Sequence, residues 1–397
     1  MNEEQITRLL QDLVRIQSVN PAGDPGTAAK NTGEALMAEY VADFLRKLAL
    51  DVELQEIEPG RPNVIAKFAS RGGKRSLALA PHADTVSVAG MTIDPFGCEV
   101  RDGKLCGRGE ADAKGPMASA LAALANAVRQ KEFREGDLDV SFCALMGEES
   151  GNDGARALME RGFKVDFAIA CEPTDCRVVY THKGALWFKV ITRGKSVHGS
   201  MPDKGESAIK KMAGVVDYLL GEYTQQLRQH EHETLGAPTV NVGVIRGGAQ
   251  TNIVPDYCEI EVDRRTVPGE KHEGILAELR SRLPIETEII RDCHPLFTDP
   301  KNPFVQKLVE AVVGPLPSAG VGAAPREGTR PTTSPLTGAP WFCDGGIFAE
   351  YGVPAVAFGP GSAAQAHVAD EFIALTEVYR AARIIERFLL ACGAKSV

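Results

Sequence analysis

Residues 139–151 read DVSFCALMGEESG, an apolar run that stops at Gly147 and delivers two consecutive carboxylates, Glu148 and Glu149. Such a run reads as a strand buried on both faces, with polar residues just past its end. The same figure recurs along the chain. Residues 77–85, LALAPHADT, break at Pro81 and present His82 and Asp84. Residues 165–174, VDFAIACEPT, end in Glu172, and residues 353–368, VPAVAFGPGSAAQAHV, pass through a glycine loop to His367. Residues 107–116, GRGEADAKGP, place Asp112 just ahead of a helix opened by Gly115-Pro116.

Between these runs lie helical stretches at 3–17, 27–49, 115–130, 152–161 and 376–392, the last with Thr376 as its cap. The strand runs are 62–68, 76–81, 138–146, 166–171 and 354–358. Strand and helix in alternation predict an α/β fold with a mostly parallel sheet flanked by helices. In such sheets ligands gather beyond the carboxyl ends of the strands. All the polar residues named above fall there or at a helix start.

Residues 182–293 interrupt that alternation. ALWFKVITRG is a strand, GESAIKKMAGVVDYLLGEYTQQL a helix, and TVNVGVIRGG and YCEIEVDRRTV two more strands. KHEGILAELRSRL is a second helix and ETEIIRD a last strand. The order β-α-β-β-α-β is that of a ferredoxin-like α+β sandwich. The expected organisation is one domain from 1–181 and 294–397, with a second, 182–293, inserted into it. Residues 314–342, rich in Gly, Pro, Ser and Thr, read as a long loop of the first domain.

Taken together, His82, Asp112, Glu149, Glu172 and His367 are two imidazoles and three carboxylates. That donor set suits two divalent, zinc-like ions. Two such ions balance the three carboxylates and one hydroxide. Glu148 adjoins a ligand and is left over as a base. Asp84, two positions after His82 on an extended backbone, shares its face and can orient the ring. The pattern points to metal-assisted hydrolysis.

In these motifs and their order, the whole chain resembles the two-zinc aminoacylase and carboxypeptidase family that includes acetylornithine deacetylase, succinyl-diaminopimelate desuccinylase and glutamate carboxypeptidase. The resemblance implies a zinc-exopeptidase-like catalytic domain carrying an inserted lid and dimerisation domain. It implies that His82 and Glu172 hold one metal, that Glu149 and His367 hold the other, and that Asp112 bridges them through a turn with a cis peptide bond to Ala113. Glu148 would be general base toward a metal-bridging hydroxide, and Asp84 the partner of His82. In the insert, His198 would stabilise the oxyanion from across a dimer, Asn252 would help to hold it, and Arg265 would bind a substrate carboxylate. The chain departs from the family at Ala113, and at Cys343-Asp344-Gly345-Gly346, where Thr or Ser usually precedes the Asp. The implied reaction is hydrolysis of the amide bond of an N-acyl amino acid. The alternatives are a dipeptidase or carboxypeptidase on the same scaffold, or a metal-binding module without catalysis. Zinc is favoured as the metal, with cobalt or manganese as substitutes.

Composition excludes other classes. At 397 residues the chain exceeds a usual single domain. Its formal net charge of −9, with no long basic run, argues against nucleic acid. No apolar run approaches the roughly 18 residues that span a membrane. The opening MNEEQITRLLQDLVRI reads as an acidic amphipathic helix rather than a signal peptide. Nine cysteines without metal-ligand spacing read as reduced thiols of a cytoplasmic protein. The remaining motifs carry no chemistry. His230-Glu231-His232-Glu233 is not HExxH, since Thr234 stands where the second His belongs. Ser207–Lys210 matches SxxK without its companion motifs. Gly359-Pro360-Gly361 matches no nucleotide loop. His182, His272 and His294 read as structural.

Overall fold

The computed structural model describes residues 1–22, 32–314 and 334–395. The start of the stretch expected to be helical over 27–49, and most of the 314–342 loop, lie outside the described residues. The chain forms two units, one of Met1–Tyr180, Thr298–Thr337 and Cys343–Val397, the other of Thr181–Phe297 with Gly338–Phe342. The second unit thus runs to Phe297, past the 293 expected from the sequence, and takes in Gly338–Phe342 from the stretch read as a loop of the first domain.

In the first unit, the four apolar runs become the parallel centre of a mixed sheet. Leu138–Ala144, Arg75–Ala80, Phe167–Ala170 and Ala355–Ala357 lie side by side in that order. Two antiparallel strands, Arg61–Phe68 and then Asp51–Glu58, extend one side, and Val178–His182 joins the other. The strand Asp51–Glu58 escapes sequence reading for a physical reason. It is an edge strand, with only Gln55 buried, so no apolar alternation marks it.

The helices follow from their sequences. Asn2 and Gln5 form a reciprocal capping box at the start of Glu3–Arg15. Gly115–Ala127 is buried almost all round, hence its alanine-rich and barely amphipathic sequence. It packs on Leu375–Gly393, and Ser119 Oγ donates to the Val378 carbonyl at 3.1 Å. That last helix starts one residue earlier than its sequence predicts, and Thr376 is not its cap. The strand Phe372–Ala374, paired with Lys104–Cys106, runs straight into it and leaves Ala374 at the cap position.

The second unit is a four-stranded antiparallel sheet in the order Thr239–Gly247, Tyr257–Thr266, Gly184–Arg193, Glu286–Cys293. The first and third strands in sequence lie at the centre, the ferredoxin-like arrangement. Tyr257–Thr266 alternates cleanly between covered and half-exposed positions. Its inward residues pack with Leu186, Phe188, Met212, Val215 and Leu279 from the adjoining strand and the helices Ala208–Tyr218 and His272–Arg282. One residue decides the fate of two arginines: Arg264 points in, to the Tyr223 hydroxyl and Glu270, whereas Arg265 points out. Ser207 caps its helix through the Lys210 N–H, which accounts for the SxxK match.

His182 is fully buried. Its Nδ1 faces the Lys183 carbonyl at 2.9 Å, and Nε2 has no partner among the described residues. Burial pushes its pKa down to about 4, so the folded protein holds it neutral while the unfolded chain protonates near 6.5. A depressed histidine contributes stability above the unfolded pKa and loses it as pH falls toward the folded one. The loss should total roughly 3 kcal/mol between pH 6.5 and 4. His182→Gln is expected to melt with a flatter pH dependence across that window. An unchanged slope would show that other groups govern acid unfolding.

Candidate active site

The parallel strands end together, and the turn after Leu138–Ala144 is fixed by buried side chains. Gly147 has φ of 71°, open to glycine without strain. Asp84 accepts the backbone N–H groups of Glu148 at 3.2 Å and Glu149 at 3.1 Å. Glu34, held by Arg61 through two bonds of 2.7 Å, accepts that of Gly147 at 3.2 Å. Asn63 accepts that of Met146 at 2.9 Å. The two glutamates are thus aimed by a rigid backbone.

Four acids and two histidines converge beside this turn. His82 Nε2 lies 2.9 Å from Asp112 Oδ1 and 3.9 Å from Glu172 Oε2. His367 Nε2 lies 3.1 Å from Glu149 Oε2 and 3.5 Å from Asp112 Oδ2. Asp112 therefore offers one oxygen to each imidazole. Ligands about 2.0–2.1 Å from a tetrahedral ion stand roughly 3.3 Å apart, and the four separations bracket that value. His82 Nδ1 sits 3.0 Å from the Asp84 carbonyl and 3.4 Å from its Oδ1. The Asp84 carboxylate has Asn20 Nδ2 at 2.7 Å as its closest partner. The peptide bond between Asp112 and Ala113 is cis.

The electrostatics match this crowding. Burial, reinforced by Glu172, Glu149 and Asp344 against the pull of His82, holds Glu148 well above the usual carboxylate range. Burial and neighbouring acids do the same to Glu172. For His82, burial works downward, but its bonds to Asp112 and Asp84 and the Glu172 charge carry it well above its ordinary value. Glu149 Oε1 is buried with no hydrogen-bond partner among the described residues. Buried acids at this density call for compensating positive charge. Donor types, spacing and the orphaned oxygen all fit a pair of divalent ions. Glu148 lies beside the cluster, with Asn152 Nδ2 at 3.4 Å from its Oε1 and 3.0 Å from Asp344 Oδ1.

The turn that carries Asp112 has its own clamp. Glu371 Oε1 accepts the N–H groups of Ala111 at 2.7 Å and Asp112 at 3.1 Å. Its Oε2 accepts from Gly109 N–H and the Arg108 guanidinium, both at 2.9 Å. Glu371 is nearly inaccessible and follows His367 by one short loop.

In the second unit, His198 and Asn252 lie side by side. The strand Val197–His198 pairs with Ile253–Val254, and Gly199 N–H donates to the Asn252 carbonyl at 2.7 Å. His198 Nδ1 takes the Ser200 N–H at 3.2 Å and also faces the Ser200 hydroxyl at 2.7 Å. That makes Nδ1 the acceptor and puts the proton of the neutral ring on Nε2. Arg265 stands apart from both, on the outward face of Tyr257–Thr266, paired with Asp263 at 3.0 Å.

Comparison with known proteins agrees with this architecture. The peptidase dimerisation domain family matches residues 180–288. Acetylornithine deacetylase of Vibrio campbellii is 30% identical over 370 residues, covering 90% of each chain. The chain belongs to the M20 metallopeptidase family. A probable succinyl-diaminopimelate desuccinylase of Staphylococcus epidermidis is 27% identical, covering 94% of each chain. Among solved structures, the aminopeptidase PepT of Bacillus cereus shares the fold with a TM-score of 0.74 at 22% identity, covering 99% of both chains. This M20 chain is a hydrolytic, metal-binding enzyme, and no helix among the described residues is long and apolar enough to cross a membrane.

A second histidine cluster in the M20 chain is of a different kind. His272, Asp292 and His294 also bring ligand atoms together. Yet the two rings stack at 4.5 Å with only 17° between their planes, so they cannot both point at one ion. His272 is already spanned by Asp292 on Nδ1 at 2.5 Å and Thr266 on Nε2 at 2.8 Å. It is a structural bridge between strand and helix. The supporting residues Asn20, Glu34, Arg61, Asn63, Asn152 and Glu371 carry no signal in the sequence. Each sits in an ordinary polar context and acts on a segment distant along the chain.

Proposed function

We propose that this enzyme hydrolyses the amide bond of an N-acyl amino acid, releasing the acyl group and a free amine. The observation that carries the reading is Asp112, with one oxygen toward each of two imidazoles and Glu148 buried alongside. The names of the relatives, a deacetylase and a desuccinylase aligned over nearly the whole chain, support the same bond type. His82, Asp112 and Glu172 would hold one divalent ion, and Asp112, Glu149 and His367 a second, with zinc the metal that best suits the mixed donors. When bound, the ions would polarise the scissile carbonyl and make water acidic. Glu148, not itself a ligand, takes a proton from the attacking water onto its carboxylate and returns it to the leaving amine. A raised pKa suits a group that must both accept and donate. Asp84 fixes the Glu148-Glu149 turn and backs the His82 ring. His198 Nε2–H would donate to the developing oxyanion, Asn252 would brace that hairpin, and Arg265 would take part in holding the substrate carboxylate. The matched dimerisation domain supports a homodimer through the second unit, and nine cysteines that form no disulfide among the described residues support a reducing compartment.

The test is a hydrolysis screen of zinc-loaded protein on acetyl, succinyl and dipeptide substrates carrying a free carboxylate. Turnover of acyl amino acids over dipeptides is expected. Preference for dipeptides would assign the peptidase alternative, and no turnover of either would overturn the reading. Metal content follows from the same assignment. About two ions per chain are expected, and Glu371→Gln, which keeps side-chain volume but weakens the clamp on Asp112, should retain metal roughly 10- to 100-fold less tightly. Elemental analysis after dialysis against graded chelator reads this out. Wild-type retention would reduce Glu371 to a packing role.

A further inference from the structure

The outward face of the second unit's sheet carries an uneven distribution of charge. Of the arginines and lysines on its four strands, Lys189 and Arg246 pair with Glu259 or Glu261, Arg193 with Glu286, Arg264 with Glu270 and Arg265 with Asp263. Arg291 is the exception, with no carboxylate in ion-pair range among the described residues. It is not loose. Its guanidinium carbon lies 4.7 Å from the Trp187 ring centre and 5.2 Å from that of Phe342. Arg265 leans on the same rings at 5.9 and 5.6 Å. The register explains the grouping, since Trp187 stands opposite Asp263 on one side and Arg291 on the other.

Two guanidiniums thus share two aromatic walls, and the one carboxylate beside them, Asp263, pairs with Arg265. Rings that restrain an arginine lower the entropy lost when it binds a ligand, and its planar fork matches a carboxylate. Arg265 already has a carboxylate in its fork; Arg291 does not.

We propose that Arg291, walled by Trp187 and Phe342, is the principal carboxylate-binding position of the second unit, with Arg265 held in support by Asp263. The inference rests on the reading that the substrate carries a free carboxylate, and it assigns that group's receptor. A binding measurement separates the two. In metal-loaded Glu148→Gln protein, calorimetric titration with N-acetylmethionine and N-acetylmethioninamide compares a carboxylate with its neutral isostere. The carboxylate is expected to bind roughly 10- to 100-fold more tightly, the range of a hydrogen-bonded charge. Arg291→Met keeps the apolar stem against Trp187 and should erase that preference, leaving amide affinity unchanged. Arg291→Lys, which keeps the charge, should restore part of it. An Arg291→Met protein that still prefers the carboxylate, one that loses both probes equally, or a parent without preference would overturn the assignment. A carboxylate preference without hydrolysis of any acyl amino acid would instead overturn the proposed function and leave the site standing.

Discussion

Glu148→Gln is expected to keep both metal positions intact and lose turnover by more than the ~10²–10⁴-fold typical of a single general acid–base step. The substitution preserves shape, and the Asn152 amide still finds an oxygen. What vanishes is a carboxylate that burial and three neighbouring acids make unusually basic. Because the same group moves the proton toward and away from the reacting centre, both halves of the reaction suffer. Elemental analysis beside steady-state and single-turnover kinetics makes the check. Near wild-type turnover would remove Glu148 from the role of base, whereas loss of metal would make it a ligand.

His198→Ala should lower kcat by roughly 10²–10³ with little change in KM, as for other oxyanion donors. The ring is exposed, and its Nδ1 accepts the Ser200 N–H, which leaves the proton of a neutral ring on Nε2. A donor poised in this way is useful only where negative charge develops, so the ground state should hardly notice its removal. If the donor serves the partner subunit, inactive His198→Ala and Glu148→Gln chains should restore activity when mixed, approaching one good site per heterodimer. Absence of recovery after verified subunit exchange would place its action within its own chain or nowhere.

The sequence makes His82, Glu148, Glu149 and Glu172 legible as candidates because each follows the end of an apolar run, whereas Asp112 stands before a helix and His367 beyond a glycine loop. The insert is legible because Tyr257–Thr266 alternates without a break. What the sequence hides is the support. Glu34 reaches Gly147, Asn63 reaches Met146 and Glu371 reaches Asp112 across long stretches of chain. None of these pairs leaves a local pattern, since a buried polar residue is specified by its partner and the partner is brought by the fold. Arg291 is hidden similarly. Its strand reads as mixed polar and apolar, and only the sheet register shows that its neighbours leave it without a counter-charge.

The way in and out of the second unit has a consequence of its own. The chain leaves the first unit after Tyr180 and returns at Thr298, and the Thr298 N–H donates to the Tyr180 carbonyl at 2.9 Å. The two cut ends of the host are therefore already joined by one rung of a ladder, and a turn of about two residues would suffice to seal them. Cut at those two positions, the second unit would leave as a cassette, with the pairing of the four parallel strands untouched and only the strand Val178–His182 shortened. One piece does not travel with it. Gly338–Phe342 belongs to the cassette by packing but to the host by sequence, with host segments on either side. A transplanted cassette would therefore meet the recipient's residue at position 342, and with it a different wall beside Arg291.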